Sequence, residues 1–124
     1  MRRLALVTLG TLLVAGCGGG GHQGAQEAAA ARGAIFLRKG CPQCHSISAL
    51  GIKSQTDVGP DLTFAYADVQ SRFGLKLEQF LETPTGTMQM VLSSMIKLTP
   101  AERDSIIHIL KELYQQRDER AEGN

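Results

Sequence analysis

Two cysteines and a histidine stand together in the stretch GCPQCHSIS, residues 40–48. Cys41 and Cys44 are three positions apart, and His45 follows the second cysteine directly. Thiolates and imidazoles bind metal ions, and paired thiols form redox disulfides. Together they could also hold a larger group by its edges. The stretch is therefore the first place to look for chemistry.

Two of these possibilities find little support elsewhere in the sequence. A structural zinc site needs four ligands, usually from two paired clusters. His22 lies in a Gly-rich stretch, and His108 falls on the polar side of the last predicted helix. A thioredoxin-like dithiol needs a βαβ setting, and no alternating run is long enough for a sheet. Neither zinc nor a redox disulfide is therefore expected.

Covalent attachment of a c-type haem uses every feature of the motif. Two thiols on one turn reach the two vinyl groups at the edge of the porphyrin. The imidazole of the next residue then reaches the iron from the same side. We therefore expect Cys41 and Cys44 to attach one haem c, and His45 to bind its iron.

The elements that position this motif are predicted to be helices. Ala-rich composition and spacings of three and four between apolar residues indicate these helices, and Gly40 and Gly74 mark the ends of two of them. Thr99, Pro100 and Glu102 supply an N-cap, a proline at N1 and a capping-box glutamate for the last one. The predicted helices cover residues 25–39, 64–73, 76–83 and 99–116.

In two long stretches, residues 46–63 and 83–98, the apolar residues follow no regular spacing. Loops of this length are unusual in so small a domain, and a bound group on which they wrap would explain them. The sequence thus predicts an all-α fold, with three to five helices around one covalently bound haem. The side chains expected to line the pocket are Leu62, Phe64, Phe80, Leu81, Ile96 and Leu98.

The stretches GAIFLRKGCPQCH, VGPDL and LTPAERDSIIHIL, with a methionine-bearing loop between the last two, resemble class I monohaem cytochromes c over roughly residues 27–116. The resemblance implies the small cytochrome c fold and single-electron transfer rather than enzymatic catalysis. It also implies that the carbonyl group of Pro60 accepts a hydrogen bond from His45, which would orient the imidazole.

In the same family a methionine supplies the sixth ligand. The segment Pro84–Met88 matches the proline-glycine approach to that methionine, which favours Met88. Counting back from Thr99 favours Met90 instead. Met95 is expected to fill the core.

The beginning of the chain has the features of an export signal. Arg2 and Arg3 precede an apolar run over residues 4–15, which is shorter than the roughly 20 residues of a membrane span. LLVAGC, ending at Cys17, resembles a bacterial lipobox, although an ordinary signal with a nearby cysteine is the alternative. We expect residues 1–17 to form the signal with Cys17 lipidated, followed by a flexible tether over 18–26, the cytochrome domain over 27–117 and a charged disordered tail over 118–124.

Composition narrows the choice of partners. Without residues 1–17 the chain has 11 basic and 12 acidic residues, and aromatic residues are scarce, so nucleic acid is not an expected partner. The expected partners are redox proteins of a respiratory or related electron-transfer chain. The carrier itself is expected to be exported, held on the cell membrane by its lipid, and to face the periplasm or the cell exterior. The alternatives are an open-site haem protein, peroxidase-like or gas-binding, and a haem subunit of a larger respiratory complex.

Overall fold

The computed structural model of the chain describes residues 20–123, so the predicted signal and Cys17 lie outside the described residues. In this part the fold is all-α, as predicted, with five α-helices and no strand. The helices are α1 Gly20–Lys39, α2 Ala65–Phe73, α3 Leu77–Glu82, α4 Thr87–Met90 and α5 Pro100–Glu122. None of these helices is long and apolar enough to cross a membrane.

Short helical turns occupy parts of the two stretches predicted to be irregular. Two 3₁₀ turns lie at Ser48–Leu50 and Leu62–Phe64, a third precedes them at Cys41–Gln43, and a π-helical turn at Val91–Met95 continues α4. An isolated antiparallel bridge pairs Ile47 with Ile52. These segments lack a sustained 3.6-residue period because each of them is too short to show one.

The hydrophobic core lies between α1, α2, α3 and α5. Phe36 and Ile47 are its most deeply buried side chains. Ion pairs join Arg32 to Glu112 at 3.9 Å and Lys39 to Glu102 at 2.6 Å. Later positions on α1 therefore meet earlier positions on α5, so the two helices run in opposite directions. The other buried core residues are Ile35, Ala65, Val69, Leu77, Phe80, Ile106, Leu110 and Leu113.

Both terminal helices are longer than predicted. α1 begins at Gly20, so residues 20–26 belong to a helix and not to a flexible tether. The alanines that follow are the best helix formers and extend the helix through the glycines. α5 continues to Glu122 and includes most of the tail predicted to be disordered. Arg117 stabilises this extension by stacking on the ring of Tyr114, at 4.8 Å from the ring centroid.

The start of α5 has the predicted capping box. The Glu102 amide donates to Thr99 Oγ1 at 3.2 Å, and the Thr99 amide donates to Glu102 Oε2 at 2.9 Å. Lys39 Nζ donates to the carbonyl oxygen of Lys97 at 2.9 Å and pairs with the same Glu102 carboxylate. The hydrogen bond from Lys39 holds the pKa of Glu102 below its usual value. The end of α1, two residues before Cys41, is thus tied to the start of α5.

Asp61 caps the 3₁₀ turn at Leu62–Phe64. Its Oδ1 accepts hydrogen bonds from the amides of Thr63 at 2.9 Å and Ser48 at 3.2 Å. Burial acts to raise the pKa of Asp61, but the hydrogen bonds from Ser48 and Thr63 together outweigh it and lower the pKa. The ionised carboxylate therefore joins the beginning and the end of the stretch over residues 46–63.

Replacing Asp61 by alanine should lower the free energy of unfolding by about 1 kcal/mol near neutral pH, as for other lost caps. Because the pKa of Asp61 is lowered in the folded state, its contribution is complete above the usual carboxyl pKa and disappears as the pH falls through the lower folded value. Thermal unfolding at several pH values should show the two proteins converging in acid. Asp104→Ala, an exposed carboxylate on α5, is the control. A difference between Asp61→Ala and wild type that persists in strong acid would contradict the role of the ionised carboxylate.

Candidate cofactor-binding site

A cavity of about 530 Å³ lies beside the core and reaches all five helices. Its size falls within the range of small-molecule and cofactor sites, roughly 300–1,000 Å³. Cys41, Cys44 and His45 line it, and so does Met88 from α4. The predicted attachment residues and the favoured sixth ligand therefore share one cavity. Most of the remaining lining is apolar, including Phe36, Leu62, Val69, Leu77, Phe80, Leu81, Ile96, Leu98, Ile106 and Leu110.

The end of α1 places the two cysteines on a single turn. Gly40 has a φ of 73°, a left-handed conformation that favours glycine, and it turns the chain out of α1. The amides of Cys44 and His45 then both donate to the carbonyl oxygen of Cys41, at 3.2 and 3.0 Å. Both cysteines carry free thiols. Burial raises the pKa of the Cys41 thiol more than Lys39 lowers it, so this thiol is held neutral.

The imidazole of His45 is held by the loop that follows. Its Nδ1 lies 2.8 Å from the carbonyl oxygen of Pro60. A carbonyl oxygen only accepts, so Nδ1 carries the proton and donates. Nε2 is then the nitrogen whose lone pair is available to a metal ion. The hydrogen bond that the resemblance implied for Pro60 is thus present.

Gly59 allows this loop to pass against the imidazole. Its amide donates to the carbonyl oxygen of Cys44 at 2.8 Å. A Cβ atom at Gly59 would lie 2.5 Å from both Cε1 and Nδ1 of His45, and 2.9 Å from the carbonyl oxygen of Cys44. No side chain can be accommodated there without moving the histidine or the backbone. The glycine before Pro60 was the only sequence signal of this contact.

A Gly59→Ala variant should therefore disturb His45 before it disturbs the rest of the fold. We expect a weaker hydrogen bond from Nδ1 to Pro60, an altered absorption spectrum of the haem-loaded protein and a loss of about 1–3 kcal/mol in unfolding free energy, as for other overpacked sites. Gly51→Ala is the control, because it also removes a loop glycine but its new Cβ would meet no atom within 4 Å. Gly51 has a left-handed φ of 68°, so this control includes the backbone strain of replacing a glycine. Identical spectra for Gly59→Ala and wild type would contradict the contact.

The structure separates the three candidate methionines. Met88 is half-buried and lines the cavity. Met90 is 64% exposed and is not among the lining residues. Met95 borders the cavity but is 68% exposed, so the expectation that it fills the core is wrong. These positions favour Met88 over Met90 as the sixth ligand.

The segment that carries Met88 has little other packing. Between residues 83 and 99 no side chain is buried. Its half-buried apolar side chains nonetheless line the cavity, namely Met88, Val91, Leu92, Ile96 and Leu98. The π-helical turn at Val91–Met95 is also of a kind that frequently occurs at functional sites. Met88 and Leu98 contact the core, and a group bound in the cavity would bury the rest of this segment's apolar surface.

The predicted pocket lining is largely confirmed. Leu62, Phe80, Leu81, Ile96 and Leu98 all line the cavity. Phe64 does not, because it turns to the other side of its 3₁₀ turn, where the guanidinium of Arg117 lies 4.9 Å from its ring centroid. Val58, just before Gly59, also lines the cavity and was not anticipated.

The residues present fit a haem better than a bare metal ion. Within residues 20–123 no three His, Cys, Asp or Glu side chains come close enough to hold an ion. His108 is 74% exposed and lies 3.3 Å from Glu112. Two thiols on one turn, an imidazole with its tautomer set and a methionine thioether that lines the same apolar cavity are instead the groups that a c-type haem requires. The chain matches no protein-family model, no curated protein and no solved structure.

Proposed function

We propose that this protein is a single-electron carrier that holds one haem c through thioether bonds to Cys41 and Cys44, with His45 and Met88 as axial ligands. One observation carries the proposal: a single apolar cavity brings these four side chains together, with Nδ1 of His45 already bonded to Pro60. The haem iron, when bound, supplies a one-electron couple between its ferric and ferrous forms.

The side chains around the cavity suit an electron carrier. His45 is oriented by Pro60 and closely packed against Gly59. Met88 would occupy the sixth position, which leaves no place for a substrate, and thioether ligation raises the potential. The apolar lining excludes water, so few groups need to reorient when the charge changes. The residues therefore favour electron transfer over catalysis at the iron.

We further propose that the protein is exported and anchored by a lipid on Cys17, facing the periplasm or the cell exterior. The sequence motif supports the anchor, and α1 leads from that region directly to the attachment cysteines. The proposed partners are redox proteins of a respiratory or related electron-transfer chain. Lateral movement on the membrane surface would bring the carrier to them.

Redox titration of the purified, exported protein with absorption spectra of both states tests this function. We expect a reversible one-electron transition, thioether-linked haem spectra and no rapid carbon monoxide binding to the reduced protein at neutral pH. Rapid binding would favour an open-site haem protein instead. A colourless protein in which both thiols react with an alkylating agent would refute the proposal.

A further inference from the structure

A second cavity, of about 260 Å³, lies between α1, two of the 3₁₀ turns and the C-terminal half of α5. It shares no lining residue with the larger cavity, as far as the described residues go. Three of its lining residues are arginines and none is acidic, so we call it the arginine cleft. The residues of the arginine cleft are Arg32, Ser48, Ala49, Thr63, Phe64, Leu113, Gln116, Arg117 and Arg120.

Arg117 is held in a defined position at the cleft. Its guanidinium lies 4.9 Å from the ring centroid of Phe64 and 4.8 Å from that of Tyr114. Stacking of this kind restricts the plane of the group. Nη2 also donates to Asp118 at 2.6 Å. A guanidinium has five N–H donors, so this single contact leaves others for a ligand.

Arg32 and Arg120 also keep N–H donors for a ligand, although Arg32 forms the ion pair with Glu112 described above. Arg32 lies 3.9 Å from Glu112, which is beyond hydrogen-bond distance, and the other oxygen of that carboxylate faces His108 at 3.3 Å. Arg120 forms no ion pair within the part of the chain described by the structure. Three arginines thus line one cleft, and the carboxylates beside two of them, Asp118 and Glu112, are not among its lining residues.

We propose that the arginine cleft binds the phosphate group of a phosphate ester. Guanidinium groups pair with phosphate through parallel, charge-assisted hydrogen bonds. The volume is several times the roughly 30 Å³ of a water molecule, so it accepts a phosphate together with part of the group it is attached to. Phe64 and Ala49 add carbon surface to the cleft, which favours a phosphate ester over inorganic phosphate.

Such an ester has two sources, the headgroup of a membrane phospholipid and a free phosphorylated metabolite. α1 and α5 run in opposite directions, so Arg117 and Arg120 lie towards the end of the molecule where α1 begins. The predicted lipid anchor precedes that same end of α1. The cleft therefore faces the end of the molecule that is nearer the predicted anchor, and the experiment distinguishes a lipid headgroup from a free metabolite.

The test uses the full mature chain with its haem in the reduced, diamagnetic state. Glycerol 3-phosphate represents the free ester, and dihexanoyl phosphatidylglycerol, below its micelle concentration, represents the lipid. Binding is measured by calorimetry and by NMR of the arginine Nε–H groups. We expect saturable binding with one site per chain and shifts of the Arg117 and Arg120 signals. Tighter binding of the lipid supports a headgroup site, and tighter binding of glycerol 3-phosphate supports a metabolite site.

Arg117→Gln/Arg120→Gln should weaken binding by about tenfold or more, because a hydrogen bond to a charged group commonly contributes that factor. Arg38→Gln/Arg103→Gln changes the net charge equally, at α1 and α5 positions outside the cleft, and should leave binding unchanged. Arg120 is exposed, and the single variant Arg120→Gln keeps the stacked Arg117. This single variant replaces the double variant in the test if the double variant folds poorly. Absence of saturable binding, or equal weakening in the charge-matched control, would overturn the proposal. Neither result bears on haem attachment.

Discussion

A Cys41→Ala/Cys44→Ala/His45→Ala variant is expected to be colourless and largely unfolded. These changes remove the residues proposed to hold the haem and leave the cavity of about 530 Å³ without its occupant. At about 24 cal/mol per Å³ of residual cavity, the cost is on the order of 10 kcal/mol before any collapse. Domains of this size have total stabilities of roughly 5–15 kcal/mol, so the loss is comparable with the whole.

The local structure indicates which parts unfold first. The segment over residues 83–99 has no buried side chain of its own, so it should lose its structure with the haem. Circular dichroism and thermal melting would measure the effect. His108→Ala, which removes an exposed histidine, is the matched control and should keep both colour and cooperative melting. A cooperative, native-like melt of the triple variant would show that the protein does not need the haem to fold.

The Met88→Ala variant should show the second largest effect, this time on the iron and not on the fold. Loss of the thioether should remove the long-wavelength band from sulfur to ferric iron and allow rapid carbon monoxide binding. The midpoint potential should fall by on the order of 0.1 V, within the ~0.8 V range over which axial ligands set haem potentials. These changes are expected because the methyl side chain of alanine cannot bind the iron in place of the Met88 thioether.

Met90→Ala is the matched control, since it removes the same atoms from an exposed position of the same helix. Its spectrum, potential and inertness towards carbon monoxide should equal those of wild type. Loss of the band in Met90→Ala alone would reverse the assignment of the sixth ligand. Loss in Met95→Ala alone would assign it to the π-helical turn instead.

Local signals in the sequence predicted the parts of the fold that depend on neighbouring residues. Thr99 and Glu102 form the predicted capping box because both partners lie within one turn. Gly74 ends α2 as predicted, with the left-handed φ that glycine tolerates. The predicted attachment motif was equally local, and its two cysteines do lie on one turn.

Features that depend on tertiary contacts could not be predicted in this way. Phe64 was expected in the pocket, but its ring instead contacts Arg117, which is more than 50 residues away in the sequence. The requirement for Gly59 comes from a histidine 14 positions earlier. The length of α1 was underestimated because its glycines suggested a flexible linker, whereas the following alanines extend the helix.

The early part of α1 has a consequence for how the proposed carrier would meet its partners. Over residues 23–31 almost every side chain is exposed, so this part extends away from the core as a helical stalk. At 1.5 Å per residue, the part from Gly20 to Ala31 spans about 18 Å. Such a stalk would fix the stand-off between the iron and the bilayer. Only complexes whose electron-accepting centres lie at a matching height could then exchange electrons with it efficiently.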